Sequence, residues 1–306
     1  MIFVQKGAFV NHNSGEIILC EHSIGRLRGI CVVWSDELTQ ACRELSSVLV
    51  SNKACEGNPS GLEANAELVQ SLFAKHGCDV WTVENPDAAY RPVILAQLGS
   101  DSSRPTVGFF GHYDVEEADP GEWASNPWRL DERDGRWYGR GVADNIVPLA
   151  QRMLLIDQLS RHCNLFFILQ GEEEIGSPFA MEIYADLKLP KVDVWVEETG
   201  YFYRNGNHRI MAMNVDERLQ SAITALESLN AADGRASSLR IRPMNKAFGN
   251  QGCPCLVHLL GDTPYIALGP NDDHSTIHGV NESIQPSLLD ISSRQLVKLC
   301  EVLGSG

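Results

Sequence analysis

The chain reads as an α/β protein with a mainly parallel central sheet covered by helices on both faces. Two observations predict this. Short runs that are almost wholly apolar alternate with helical stretches, as strands buried on both faces require. Each such run also hands over to a loop bearing histidine or carboxylate, as expected at the carboxyl ends of parallel strands, where ligands collect.

Taken in order, residues 1–35 form an N-terminal extension in which "GAFVNHNSGEIILCEHS" alternates around Asn13-Ser14-Gly15 like a β-hairpin. Residues 36–50 place Leu38, Ala41, Cys42, Leu45 and Leu49 on one helical face. A second helix is expected to open on the capping box Ser60-Gly61-Leu62-Glu63, to turn Leu68, Val69, Leu72 and Phe73 inward, and to stop at Gly77. Strands follow at 78–83, 93–99 and 106–110. Beyond a long loop, "IVPLAQRMLLIDQL" reads as a helix, 164–170 as a buried strand, "PFAMEIYADL" as a helix and 192–196 as another buried strand. Residues 201–250 hold one helix, "ERLQSAITALESL", and a few short strands, too little for an independent core.

Composition narrows the function. The 306 residues are 43% hydrophobic and 21% charged, which suits an ordinary globular protein. Forty acidic against 25 basic residues give a formal charge of −15, which repels phosphate backbones and anionic membranes. No nucleic-acid or membrane partner is expected. Nine cysteines, an odd number without regular spacing, read as reduced thiols in a cytoplasm. The close pair in Cys253-Pro254-Cys255 is a weak metal signal and reads as a loop with buried thiols. The N-terminus lacks the apolar core of a signal peptide and no apolar run approaches a membrane span, so a cytoplasmic location is expected.

The strand ends carry the chemistry. "TVGFF" delivers His112 and Asp114, and the turn "YGRGVADN" before the next helix presents Asp144. "NLFFILQ" delivers "GEEEIGS", "VDVWV" delivers Glu197 and Glu198, and "YIALG" delivers "PNDDHSTIHGVNE". One charged strand end is ordinary loop polarity. Five that each offer histidine or carboxylate form a metal-ligand set, because imidazole nitrogen and carboxylate oxygen are what zinc takes. Two ions that share a bridging carboxylate need about five such ligands.

In order and spacing, "GHYDV", "EWASNPWRLDERDGRWYGRGVADN", "QGEEEIGS" and "HGVNE" resemble the motifs of the dinuclear zinc exopeptidase and deacylase family. That family includes carnosine-type dipeptidases, glutamate carboxypeptidases, aminoacylases, acetylornithine deacetylase and succinyl-diaminopimelate desuccinylase. The resemblance covers roughly residues 36–200 and 250–303. It implies two zinc ions, with cobalt or manganese as substitutes. It also implies that His112 ligates one ion while Asp114 orients His112, and that Asp144 bridges both ions before a cis peptide to Asn145. Glu173 corresponds to the general base and Glu174 to a ligand of the second zinc, with Glu172 a variable position. Glu198 fits the fourth ligand better than Glu197, and His278 matches the last, with His274 its nearby competitor.

The chain also departs from the family. Only residues 201–250 stand where relatives carry a separate lid and dimerisation domain, which implies a lidless or reduced member, a monomer or a dimer formed without a lid. The lid's oxyanion donor needs a substitute, and His208, Arg204 and Arg209 are the candidates. "ADNIVP" has an apolar helix start where relatives commonly have a Lys-Gly pair.

The resemblance implies zinc-dependent hydrolysis of an amide bond in a small peptide or N-acyl amino acid by a metal-activated water. Dipeptidase or aminopeptidase action is favoured, with Glu116, Glu117, Asp119, Asp272 and Asp273 available to read a free amino terminus. A deacylase or amidase acting on one biosynthetic intermediate is the alternative. A non-catalytic binding protein that kept the fold is a reading of another class, weakened because every ligand position and Glu173 persist.

Overall fold

The computed structural model describes residues 4–10, 17–23, 33–197, 200–241 and 254–305. The chain opens with β1 (Val4–Val10) and β2 (Ile17–Ser23), paired antiparallel from Val4↔Ser23 to Val10↔Ile17. The expected turn Asn13-Ser14-Gly15 lies outside the described residues. Then come α1 (Asp36–Ser51), α2 (Pro59–Lys75), β3 (Asp79–Val83), β4 (Val93–Leu98), β5 (Thr106–His112), β6 (Asp131–Arg133), β7 (Arg136–Tyr138), α3 (Val147–Leu159), β8 (Asn164–Gln170), α4 (Pro178–Ile183) and β9 (Val194–Glu197). The last part holds β10 (Tyr201–Phe202), β11 (His208–Met213), α5 (Glu217–Ala232), β12 (Ser237–Ile241), α6 (Pro254–Leu260), β13 (Tyr265–Ala267), β14 (Asn271–Asp272), β15 (Ser283–Ile284) and α7 (Leu288–Leu303).

One large sheet organises the molecule in the order β14-β10-β11-β13-β9-β5-β8-β4-β3, with β12 beside β11. Its centre, β8-β5-β9-β13, is parallel, while β3, β4 and β11 run antiparallel to their inner neighbours. Side-chain alternation splits the core in two. Val107, Phe109, Leu165, Phe167, Leu169, Val194 and Val196 face a layer made by α1, α2, α3, α5 and α7. Phe110, Phe166, Ile168 and Trp195 face a smaller layer that includes α4 and α6. Both faces are therefore dry, and the strands show no polar alternation because neither side meets water. Gly108 is small because a Cβ there would lie 2.6 Å from the Trp195 ring.

Two local expectations change. The capping box at Ser60 does not form: α2 begins at Pro59, two residues earlier than a Ser60 cap requires, with Asn58 as N-cap, and Ser60 Oγ donates instead to Asn58 Oδ1 at 2.9 Å. The pre-set φ of proline suits it to the first helical position. The helix expected over 178–187 ends at Ile183. Residues 201–241 build no core of their own. They insert β10 and β11 into the main sheet and lay α5 against α7. Among the described residues, no helix is long and apolar enough to cross a membrane.

Candidate metal centre

Strand register assembles the site. β5 and β8 run parallel with His112 opposite Gln170, so His112 and the run Glu172-Glu173-Glu174 leave the sheet side by side. Asp144 sits in the turn before α3, where the Asp144-Asn145 peptide is cis. The loop between β14 and β15 carries His278 to the same place, anchored by Ser283 pairing with Tyr138.

Asp144 offers one oxygen to each of two imidazoles. Its Oδ1 lies 3.2 Å from His112 Nε2 and its Oδ2 3.2 Å from His278 Nε2. Glu174 Oε2 lies 2.9 Å from the same His278 nitrogen. Donor atoms of His112, Asp144 and Glu174 all fall within 4.8 Å of one another, as do those of Glu116, Glu174 and His278. Ligands on a tetrahedral zinc with bonds of about 2.0–2.1 Å are separated by about 3.3 Å. The donor types and the spacing both fit a divalent cation.

The charges in this cluster act strongly on one another. The Asp144 and Glu174 carboxylates push the His278 pKa up to about 11. Burial opposes charge on His112, but Asp114, Asp144 and Glu173 outweigh it and its pKa is raised. Burial pushes Glu174 up to about 8, against the pull of His278. Asp144 is held low despite its burial, because both imidazoles favour its ionised form.

Further contacts set the ligands. His112 Nδ1 faces the Asp114 carbonyl at 3.0 Å and Asp114 Oδ1 at 3.3 Å. A carbonyl can only accept, so Nδ1 carries the hydrogen and Nε2 keeps its lone pair for the metal position. Asp114 Oδ2 also accepts from the Glu174 N–H at 3.0 Å, tying the two loops together. Glu173 lies close enough to His112 to favour that ring's charged form.

Sequence reasoning missed the role of Glu282. Its buried carboxylate accepts from the N–H groups of Gly141, Ala143 and Asp144 at 2.8, 2.8 and 3.1 Å, and from Arg140 Nη1 at 3.0 Å. Arg140 in turn donates to the His278 carbonyl at 3.3 Å. One carboxylate thus fixes the turn of Asp144 and the loop of His278 together. All four neighbours are donors, so the ionised form is held although burial raises the pKa. The available signal was its place at the end of "HGVNE". Glu172, read as variable, is also built in: its buried carboxylate caps α4 by accepting from the Phe179 and Ala180 N–H groups.

Other candidates go elsewhere. Glu198 lies outside the described residues. Glu197 is buried and accepts from Tyr265 OH at 2.6 Å. The His274 side chain is exposed, and its N–H donates to Asp272. Asp272 is paired bidentately with Arg136 at 2.7 and 2.9 Å. Asp119 closes its own turn on Gly121, Glu117 accepts from Gly57 and Asp273 from the Arg204 N–H. Of the five acidic residues considered for an amino terminus, Glu116 is the one grouped with Glu174 and His278. His208 does not supply an oxyanion donor: it is sealed between α5 and α7, its Nδ1 facing the amides of Asn230 and Gln295. Arg209 stacks on Tyr201 and Tyr203, and the Arg204 side chain is exposed. Cys42, Cys55, Cys78, Cys163 and Cys300 are buried free thiols; Cys253 and the side chain of Cys255 lie outside the described residues.

The fold and the cluster define a metallopeptidase-type α/β protein, and its family follows from the chain itself. Residues 108–302 match the profile of peptidase family M20/M25/M40, and the chain belongs to that family. It is 44% identical over 92 residues to human Beta-Ala-His dipeptidase, covering 28% of this chain and 18% of that protein. Over 128 residues it is 35% identical to the Cys-Gly metallodipeptidase DUG1 of Saccharomyces cerevisiae, covering 39% of this chain and 24% of the relative. The chain thus spans less than a quarter of the length of these curated relatives. The fold is similar to the M20 family metallo-carboxypeptidase Sso-CP2 from Sulfolobus solfataricus, with a TM-score of 0.71 at 14% identity, over 89% of this chain and 100% of that one. It is also similar to human carnosine dipeptidase 1, with a TM-score of 0.66 at 14% identity, over 89% and 97% of the two chains.

Proposed function

We propose that this chain is a dinuclear zinc hydrolase that cleaves the amide bond of a small peptide, with dipeptides favoured. The observation that carries the reading is Asp144, whose two oxygens each face a different histidine, beside the consecutive pair Glu173-Glu174. Membership of a peptidase family and similarity to two curated dipeptidases support it. In this reading His112, Asp144, Glu174, His278 and Glu198 hold the ions. Glu198 is preferred to Glu197 because the Tyr265 hydroxyl already occupies the latter.

Zinc bound there would polarise a substrate carbonyl and bring the pKa of a water near neutrality. Glu173 takes the proton from that water and returns it to the departing amine nitrogen. Asp114 keeps the His112 ring in the tautomer that leaves Nε2 free to bind. The products are a carboxylate and an amine. We assign residues 36–306 to one catalytic domain, with 201–250 in the place of a lid.

The test is turnover by zinc-loaded protein on a panel of dipeptides, amino-terminal amides and N-acyl amino acids. Glu173→Gln is expected to keep its zinc and to lose about 10²–10⁴-fold in kcat, the usual contribution of a general base. Undiminished turnover in that variant, or none on any substrate with two ions bound, would overturn the reading.

A further inference from the structure

We propose that Glu116 is a metal ligand: with Asp144, Glu174 and His278 it closes the coordination shell of one of the two ions, which leaves the ion beside His112 as the one with an open position. The inference rests on the dinuclear reading and adds a ligand to the five assigned above. Glu116 follows His112 and Asp114 at two-residue spacing on the segment that leaves β5. That segment is held from both sides: the Val115 N–H donates to the Ala54 carbonyl at 2.9 Å, and Asp114 Oδ2 accepts from the Glu174 N–H at 3.0 Å. Glu116 is half-buried there, against a cavity of about 40 Å³ that Glu174 also lines. A water molecule's share of liquid volume is about 30 Å³, so this space suits a bare cation and is too small for a substrate side chain.

The donors here are mixed rather than all acidic. One atom each of Glu116, Glu174 and His278 lie within 4.8 Å of one another, two carboxylate oxygens and an imidazole nitrogen. Glu174 Oε2 belongs to a side chain that is 4% exposed, and it has no hydrogen-bond partner although His278 Nε2 lies 2.9 Å away. The same nitrogen lies 3.2 Å from Asp144 Oδ2. Three carboxylates thus converge on one imidazole, and these are the donor types that zinc takes.

Asp144 divides the ligands between the ions. Its Oδ1 faces His112, and its Oδ2 faces His278, which Glu174 adjoins. With Asp144 shared, the five ligands already assigned give each ion three, one short of a tetrahedron. Glu116 stands on the His278 side and supplies the fourth there. A shell closed by four protein ligands is the mark of a structural zinc, whereas a catalytic zinc keeps one position for water or substrate. The two ions therefore differ in role and in affinity, with the tighter one held by Glu116.

The experiment measures metal binding without substrate. Competition of the full chain with a chromophoric chelator for zinc gives one dissociation constant per ion. In Glu116→Gln the tighter constant should weaken by at least about tenfold, the scale on which disturbed ligation costs metal affinity, while the other stays as in wild type. Glu117→Gln removes the same charge from the wall of the same cavity and should change neither constant. Glu116→His, which returns a ligand, should restore tight binding. With cobalt in place of zinc, the visible absorption of the tighter ion should shift in Glu116→Gln and not in Glu117→Gln, because it reports the ligand set. Equal weakening in Glu116→Gln and Glu117→Gln would show an effect of charge alone and overturn the proposal, as would two unchanged constants in Glu116→Gln. Either result leaves the hydrolase reading standing. That reading fails differently, by two bound ions with no turnover on any substrate.

Discussion

Glu282→Gln removes one charge and almost no volume, and it should loosen the whole metal centre. The amide oxygen can still accept from Ala143 and Asp144, but the new NH2 then faces Gly141 N–H and Arg140 Nη1, donor against donor. Arg140, only 4% exposed, is left as a buried charge without its partner. Breaking a buried pair in this way costs about 3–5 kcal/mol. At roughly 2 °C per kcal/mol, suited to a chain of this size, the melting temperature should fall by about 6–10 °C. The same carboxylate sets the Asp144 turn, and through Arg140 the His278 loop, so zinc affinity should drop by about 10–100-fold. Thermal melts of metal-free protein measure the first effect, and competition with a chromophoric chelator measures the second. Adding Arg140→Met should recover part of the lost stability, since no unpaired charge then remains. A Glu282→Gln protein that melts within about 2 °C of wild type and keeps its zinc affinity would refute the assignment.

Two further outcomes follow from local geometry and burial. Gly141 has φ +79°, and a Cβ there would lie 2.1 Å from Val115 Cγ1, so Gly141→Ala should cost about 2–4 kcal/mol in urea unfolding; a loss below about 1 kcal/mol would contradict it. Burial, aided by Arg235 and Arg209, pushes His208 down to about 3, so the unfolded chain takes a proton below about pH 6.5 that the folded chain refuses. The stability from neutral His208 is complete above that pH and is lost as pH falls toward 3, by about 1.4 kcal/mol per unit. His208→Gln should therefore flatten the stability of metal-free protein between pH 7 and 5; parallel curves for the two proteins would count against a buried neutral ring.

Much of the site was legible because its signals are local. A strand buried on both faces is an unbroken apolar run, and the polar residues that end it lie at or just beyond the strand's carboxyl end, which is why His112 and Glu174 were readable. The glycines around Glu173 and Glu174 set that register, and the structure brings His112, Asp144, Glu174 and His278 together. The capping box failed for an equally local reason, since Pro59 starts the helix before Ser60 can cap it.

What the sequence determined by itself was the layer architecture and the inventory of chemical groups, both of which follow from periodicity and residue type. Which carboxylates remain available was decided only by the tertiary structure. Asp272 is neutralised by Arg136, 136 positions away along the chain, and Glu197 meets Tyr265 on a neighbouring strand. Glu282 is drawn into the turn that holds Asp144, while Glu116 is brought beside Glu174 and His278. The reason is physical: a carboxylate's role depends on how far it is desolvated and on which donors face it. Both are set by contacts between segments far apart in sequence, where no local pattern reports them.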